Sequence, residues 1–131
     1  MRKKTVLAVF ILLAFLAFAS SCKSSKEEDV FSILGNWTIN MVYAGTYYYT
    51  GGNITFAGSL ASGSVQVTFP PDTQVGTGTY QVTGTTVQFT VYWPKAEYTD
   101  TCTGSVVNDH SMNGTLVEQP GNTSGTWSCT R

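Results

Sequence analysis

From Gly35 to the end of the chain, apolar and polar residues alternate in short runs, and glycine, proline or asparagine interrupts each run before it can lengthen. Alternation with period two puts successive side chains on opposite faces of a strand, so each run reads as a strand with one buried face. All 13 glycines lie at or after Gly35, threonine is frequent there and charge is sparse. That composition suits exposed strand faces and tight turns and suits helices badly. The predicted fold class is all-β.

The first run sets Trp37, Ile39, Met41 and Tyr43 against Thr38, Asn40 and Val42. An internal repeat follows. Gly45 to Phe56 realigns 33 positions later with Gly78 to Phe89, and Gly, Thr, Tyr, Thr, Gly and Phe coincide. Each copy reads as a hairpin turning at Gly51-Gly52 or at Gly84-Thr85, where glycine supplies the positive φ that primed turns need. This register sets Tyr49 opposite Ile54, Tyr47 opposite Phe56, Val82 opposite Val87 and Tyr80 opposite Phe89, apolar facing apolar at every step.

Between the copies, Val65, Val67 and Phe69 form a strand after a Ser62-Gly63 turn, and Pro70-Pro71-Asp72 stops it. The strand of the second copy continues through Val91 and Trp93 to Pro94. A further hairpin near Asn108-Asp109 joins residues 99–106 to 111–117, and Gln119-Pro120-Gly121-Asn122 leads into a last strand over 124–130. Eight or nine strands in sequence, with no long crossing connection, predict an up-and-down antiparallel barrel rather than a Greek key. Its inward set is Trp37, Ile39, Met41, Tyr47, Tyr49, Ile54, Phe56, Val67, Phe69, Tyr80, Val82, Phe89, Val91 and Trp93, while Tyr48 and Tyr92 fall on the outer face.

The first 30 residues have a different character. Met1-Arg2-Lys3-Lys4 is a cationic head, and Val6 to Phe18 is an apolar run of about 13 residues, a signal-peptide length and short of the ~20 needed to span a bilayer. Ala19-Ser20-Ser21-Cys22 closes that run with small residues before a cysteine. This resembles the lipobox of bacterial lipoproteins. The resemblance implies a signal peptide over 1–21, diacylglycerol on the Cys22 thiol, an acylated tether over 22–30 and a barrel domain over 31–131. Several acyl chains hold a protein firmly at a membrane surface where a single chain binds only marginally. Lys23 follows the cysteine where an inner-membrane retention signal places Asp, so the implied address is the outer membrane, on its periplasmic face or at the cell surface. Lys26-Glu27-Glu28-Asp29 is similar to a short acidic surface-export tag, and reads equally as a solvated tether.

The barrel also carries a resemblance. Leu34-Gly35-Asn36-Trp37 resembles the Gly-x-Trp opening of lipocalins and related calycins, and Gly125-Thr126-Trp127-Ser128-Cys129-Thr130-Arg131 is similar to the ending of small bacterial lipocalin-like lipoproteins. It implies that Arg131 packs over Trp37 to close the barrel base, with Gly35 allowing close backbone approach. It also implies a lumen that binds a small apolar or amphipathic ligand, the candidate residues being Trp37, Met41, Tyr47, Tyr49, Phe56, Phe69, Tyr80, Phe89 and Trp93.

Other chemistry is sparse. From Cys22 onward Lys23, Lys26, Lys95 and Arg131 stand against eight carboxylates, a net charge of −4, which offers no footprint for nucleic acid. His110 is the single histidine and falls in a turn, so neither a triad nor a histidine-based metal site assembles, and no cofactor is expected. Glu97 and Asp100 share a presumed loop and read as solvated charges; the chain is not expected to be an enzyme. With Cys22 assigned to lipid, Cys102 and Cys129 remain to pair as a disulfide in an oxidising envelope. Their strands lie two apart, about 9–10 Å. The bond therefore requires a short or bulged middle strand, a chain end that bends over it, or a different strand order. The alternative to ligand binding is a protein-binding or inhibitor module of the lysozyme-inhibitor type, acting through the loops 70–76 and 94–100 over a solidly packed interior.

Overall fold

The computed structural model describes residues 30–131, so the expected signal peptide, Cys22 and all of the expected tether except Val30 lie outside the described residues. Eight strands follow one another: β1 Gly35–Tyr43, β2 Tyr47–Gly58, β3 Ser62–Thr68, β4 Val75–Thr83, β5 Thr86–Trp93, β6 Tyr98–Asn108, β7 Ser111–Gln119 and β8 Thr123–Thr130. Each pairs antiparallel with the next, and β1 pairs with β8, which closes an up-and-down barrel. Closure leaves no strand edge unpaired. The connections β1–β2, β3–β4, β5–β6 and β7–β8 all emerge at one end; the other three, with Phe31–Leu34 and Arg131, lie at the opposite end.

The second copy of the repeat folds as the hairpin its sequence predicts. Gly84 takes φ 60° in the turn, and Val82 faces Val87 and Tyr80 faces Phe89. The first copy does not. β2 runs unbroken through Gly51 and Gly52, and the chain turns earlier, at Ala44-Gly45-Thr46, where Ala44 (φ 51°) and Gly45 (φ 68°) are both left-handed. Tyr47 therefore faces Tyr43 and Tyr49 faces Met41, while Ile54 faces Trp37 and Phe56 faces Gly35.

Gly51 serves a bulge instead. Between Ile39 and Met41 the register slips by one residue, Gly51 takes φ 68°, and its N–H donates to Asn40 Oδ1 at 2.8 Å. A left-handed glycine is what such a bulge requires. At Gly52 the reason is packing, since a Cβ would collide with the Phe69 ring.

The lumen from the base to beyond its middle is filled. Ile39, Met41, Ile54, Phe56, Val65, Val67, Tyr80, Val87, Phe89, Val91, Met112, Leu116 and Trp127 are all buried. Phe56 meets Tyr80 and Phe89 edge-to-face at 5.3 and 5.8 Å, and Phe89 meets Trp127 at 4.9 Å, the geometry aromatic quadrupoles favour. Gly104 and Gly114 face each other across β6 and β7, and a Cβ on Gly104 would lie 2.6 Å from the Trp127 ring. Their bare backbone is what admits the indole.

Cys102 and Cys129 are free thiols, which corrects the predicted disulfide. β7 lies between their strands at full length. Cys102 faces Leu116 and Cys129 faces Met112, four positions apart on that strand. Two strand spacings plus this offset exceed the Cα separation a disulfide tolerates.

Candidate functional site

The two ends of the barrel differ. At the base, the Arg131 guanidinium carbon lies 4.1 Å from the centroid of the Trp37 ring. The guanidinium donates to the backbone oxygens of Leu34 (3.3 Å), Ser32 (2.9 Å) and Asp109 (3.0 Å), and Trp37 Nε1 donates to Ile33 O at 2.8 Å. Phe31 leans on Trp37 at 6.1 Å. These contacts tie the chain's entry and exit together and seal that end. Gly35 corrects the expected close backbone approach: a Cβ there would meet nothing within 4 Å, and what calls for glycine is φ 102°, a backbone region open to glycine.

At the opposite end the core stops short of the rim and leaves an open cup of about 660 Å³, inside the range of small-molecule sites. Tyr43, Tyr49, Phe69 and Trp93 form its inner wall, and Tyr47, Tyr48 and Tyr98 its rim. Tyr49 sits edge-on to Tyr43 and against Phe69, both at 5.6 Å, and Phe69 leans on Trp93 at 6.2 Å. The loops beside it are tied to each other: Lys95 N donates to Gln74 Oε1 at 2.8 Å, and Lys95 Nζ stands 4.0 Å from Asp72.

Beneath this wall lies a fully buried carboxyl, Asp100. Its Oδ2 accepts from Tyr43 Oη at 2.6 Å and from Trp93 Nε1 at 2.8 Å. Its Oδ1 has no hydrogen-bond partner, although Asp100 and Glu118 are cross-strand partners with their carboxyls in reach of each other. Burial pushes the Asp100 carboxyl above its ordinary range, against the bonds from Tyr43 and Trp93 that pull it down. Burial, and then the neighbouring Asp100, raise Glu118. Burial and Asp100 likewise raise the Tyr43 phenol, which stays a donor. Two ionised carboxylates in contact repel, so one proton, or one cation, belongs with the pair.

The candidate lumen residues therefore divide. Tyr47, Tyr49, Phe69 and Trp93 line the cup. Tyr47 and Tyr49 keep the inward face that alternation gave them, but at 66 % and 50 % exposed they lie above the packed lumen, Tyr47 on the rim and Tyr49 in the wall of the cup. Their placement opposite Phe56 and Ile54 is corrected by the earlier turn. Trp37, Met41, Phe56, Tyr80 and Phe89 are packed core and do not line the cup, and Val82 and Phe69 are only partly buried. Tyr48 and Tyr92 are exposed.

Asp100 is a further correction, because it belongs to β6 and not to a solvated loop with Glu97. Asp100 and Glu118 were not among the candidate ligand residues. The available signal was positional: Asp100 shares its strand face with Cys102, and a carboxylate on an inward face is rarely left without partners.

No known family profile and no curated protein matches the chain. Among solved structures it is similar to a redesigned β-barrel at 13 % identity and TM-score 0.67, covering 76 % of this chain and 90 % of that one. It is similar also to the redesigned barrel mFAP1, bound to DFHBI, at 14 % identity and TM-score 0.57, covering 76 % and 94 %. A third, mFAP0 bound to DFHBI, matches at 13 % identity and TM-score 0.55, covering 76 % and 98 %. At such identities the likeness shows the fold alone: the chain is an eight-stranded, up-and-down antiparallel β-barrel.

Proposed function

We propose that this chain is a lipid-anchored, lipocalin-like binding protein that holds a small apolar or amphipathic molecule in the aromatic cup. The observation that carries the reading is the cup itself, a 660 Å³ opening walled by aromatic rings at one end of an otherwise packed barrel. The two redesigned barrels bound to DFHBI support it, since barrels of this architecture hold a small molecule. The cationic head, apolar run and small residues before Cys22 support the anchor, with the outer membrane as its address. The reading is of a binding protein and not an enzyme.

Titration with the neutral fluorophore N-phenyl-1-naphthylamine tests the cup. Saturable binding at micromolar concentration, weakened by Tyr49→Ala and reported by Trp93 emission, is the expected result; no saturable binding by neutral or charged aromatic probes refutes it. Intact mass of the mature protein tests the anchor, which requires an acylated chain beginning at Cys22 and unprocessed precursor for Cys22→Ala.

One observation favours a second reading. Tyr47, Tyr48 and Tyr98 project from the rim at 66 %, 67 % and 40 % exposed, and tyrosine is a frequent anchor of protein interfaces. Under that reading the rim and the flanking loops bind a protein partner, as lysozyme-inhibitor modules do, and the cup receives a partner side chain.

A further inference from the structure

The charges around the cup are of one sign. Asp72 stands at its mouth and Glu118 in its wall, with Asp100 beneath, and no lysine, arginine or histidine lines it. Lys95 contacts Asp72 from outside the lining and is itself well exposed. The other groups facing the Asp100–Glu118 pair are neutral: Tyr43 from β1, Val91 and Trp93 from β5, Thr123 from β8, and Cys102 on the strand of Asp100 itself.

An acidic floor under aromatic walls has a definite chemical complement. Ring faces carry negative quadrupole charge and attract cations, most strongly where water is excluded. No N–H or hydroxyl donates to Asp100 Oδ1, and the group within hydrogen-bond reach of this carboxyl is that of Glu118, itself an acid, so the pair needs one shared proton or a cation in its place. Tyr43 and Trp93 both give their protons to Oδ2, which leaves Oδ1 as the free oxygen of a carboxyl whose other side is fixed. An ammonium group brings up to three donors and one positive charge. Bonded to the Glu118 carboxylate in the wall of the cup, it brings the positive charge that the acid pair needs and removes the repulsion between the two acids. A fatty acid or other carboxylate would add a third negative charge to the same place.

We propose that the cup selects an organic cation, an amine on a flat apolar body, with the ammonium against the Asp100–Glu118 pair and the body between Tyr43, Tyr49, Phe69 and Trp93. The inference rests on the reading of the cup as a ligand site and narrows it to one class of ligand.

Three molecules of one frame test it: tryptamine, the neutral alcohol tryptophol, and indole-3-acetate, titrated calorimetrically into the full-length protein at low salt. Tryptamine should bind at least about ten-fold more tightly than tryptophol, and indole-3-acetate at least about ten-fold more weakly, because a charge contact shielded from water is worth that much. In Glu118→Gln the tryptamine preference over tryptophol should shrink to within about two-fold, with near-ultraviolet circular dichroism checking that the variant keeps its fold. Equal binding of all three overturns the cation inference and leaves the small-ligand reading standing. Tryptophol binding with an unchanged tryptamine preference in Glu118→Gln overturns the assignment to the acid pair. No binding of any of the three removes the small-ligand reading and this inference with it.

Discussion

Replacing Asp100 separates the two things its carboxyl does, accepting hydrogen bonds and carrying charge. Asp100→Ala leaves the Trp93 indole N–H without an acceptor and the Tyr43 hydroxyl with only the weak acceptor Met41 Sδ at 3.6 Å, both now being bonded to Oδ2. Each stranded buried donor costs about 1–3 kcal/mol, so the pair costs about 2–6 kcal/mol. Water entering from the cup offsets part of this, and about 2–4 kcal/mol remains, a large share of the 5–15 kcal/mol typical of a domain. Asp100→Asn keeps an oxygen where Oδ2 stands, so both bonds survive and the cost at low pH is under about 1 kcal/mol. The charge then appears in the pH dependence. Because the folded state raises the pKa of Asp100, and of Glu118 with it, their contribution to stability is fully present below the unfolded carboxylate range and is lost as pH rises through the elevated values. The Asn variant, lacking the buried charge, should gain on the wild-type protein between pH 4.5 and pH 8. Urea melts at both pH values, followed by tryptophan fluorescence, measure the difference. An Ala variant within about 1 kcal/mol of wild type at both pH values, or an Asn variant that falls behind as pH rises, refutes the reasoning.

At the base, Arg131→Ala removes a cation over Trp37 and three bonds to backbone oxygens, and should cost about 1–2 kcal/mol in urea melts, discounted because Arg131 is exposed. Arg131→Lys should recover less than half of that, since an ammonium lacks the planar fork; full recovery would assign the effect to charge alone. Gly104→Ala places a Cβ 2.6 Å from the Trp127 ring and should destabilise by about 3 kcal/mol, with a change in the near-ultraviolet circular dichroism of the indole; a neutral effect would mean Trp127 is loosely held. The thiols of Cys102 and Cys129 are buried, and burial raises Cys102 well above its ordinary value and Cys129 to about 12. In the barrel domain both should be silent to a thiol reagent at pH 8 and titrate as two thiols in denaturant, whereas no thiols in denaturant would restore the disulfide.

The strand order was legible because alternation and glycine placement are local, and seven of the eight strands begin and end near positions the pattern marks. The exception is instructive. Gly51-Gly52 and Gly84-Thr85 occupy matching places in the repeat, yet one is a bulge and the other a turn. What separates them is tertiary: Asn40 reaches across to the Gly51 N–H, and Phe69 lies where a side chain at residue 52 would be. The real turn uses Ala44 at φ 51°, a conformation alanine does not advertise. Its position then decides which tyrosines pass the packed core and reach the rim.

The division of the barrel into a packed part and a cup follows from size. An eight-stranded lumen is only just wide enough to be filled by side chains. Here Phe56, Tyr80, Phe89 and Trp127 fill it from the middle toward the base, where the glycines of β6 and β7 give them room. Above them the inward positions pass to Asp100 and Glu118, side chains shorter than the rings below and intolerant of dry packing. An apolar pair at these two register positions would have continued the core to the rim, as Leu116 and Cys102 continue it one step below. On the β6–β7 side the cup is therefore open where the inward positions change from apolar residues to acids. Asp100→Leu with Glu118→Leu should accordingly close it: the double variant should be more stable than the wild-type protein at pH 8, since a hydrophobic replacement of paired buried charges is often stabilising. The same variant should lose saturable binding of N-phenyl-1-naphthylamine. Retention of that binding with unchanged affinity would show that the tyrosine rim alone holds the probe, and that the acids have no part in keeping the cup open.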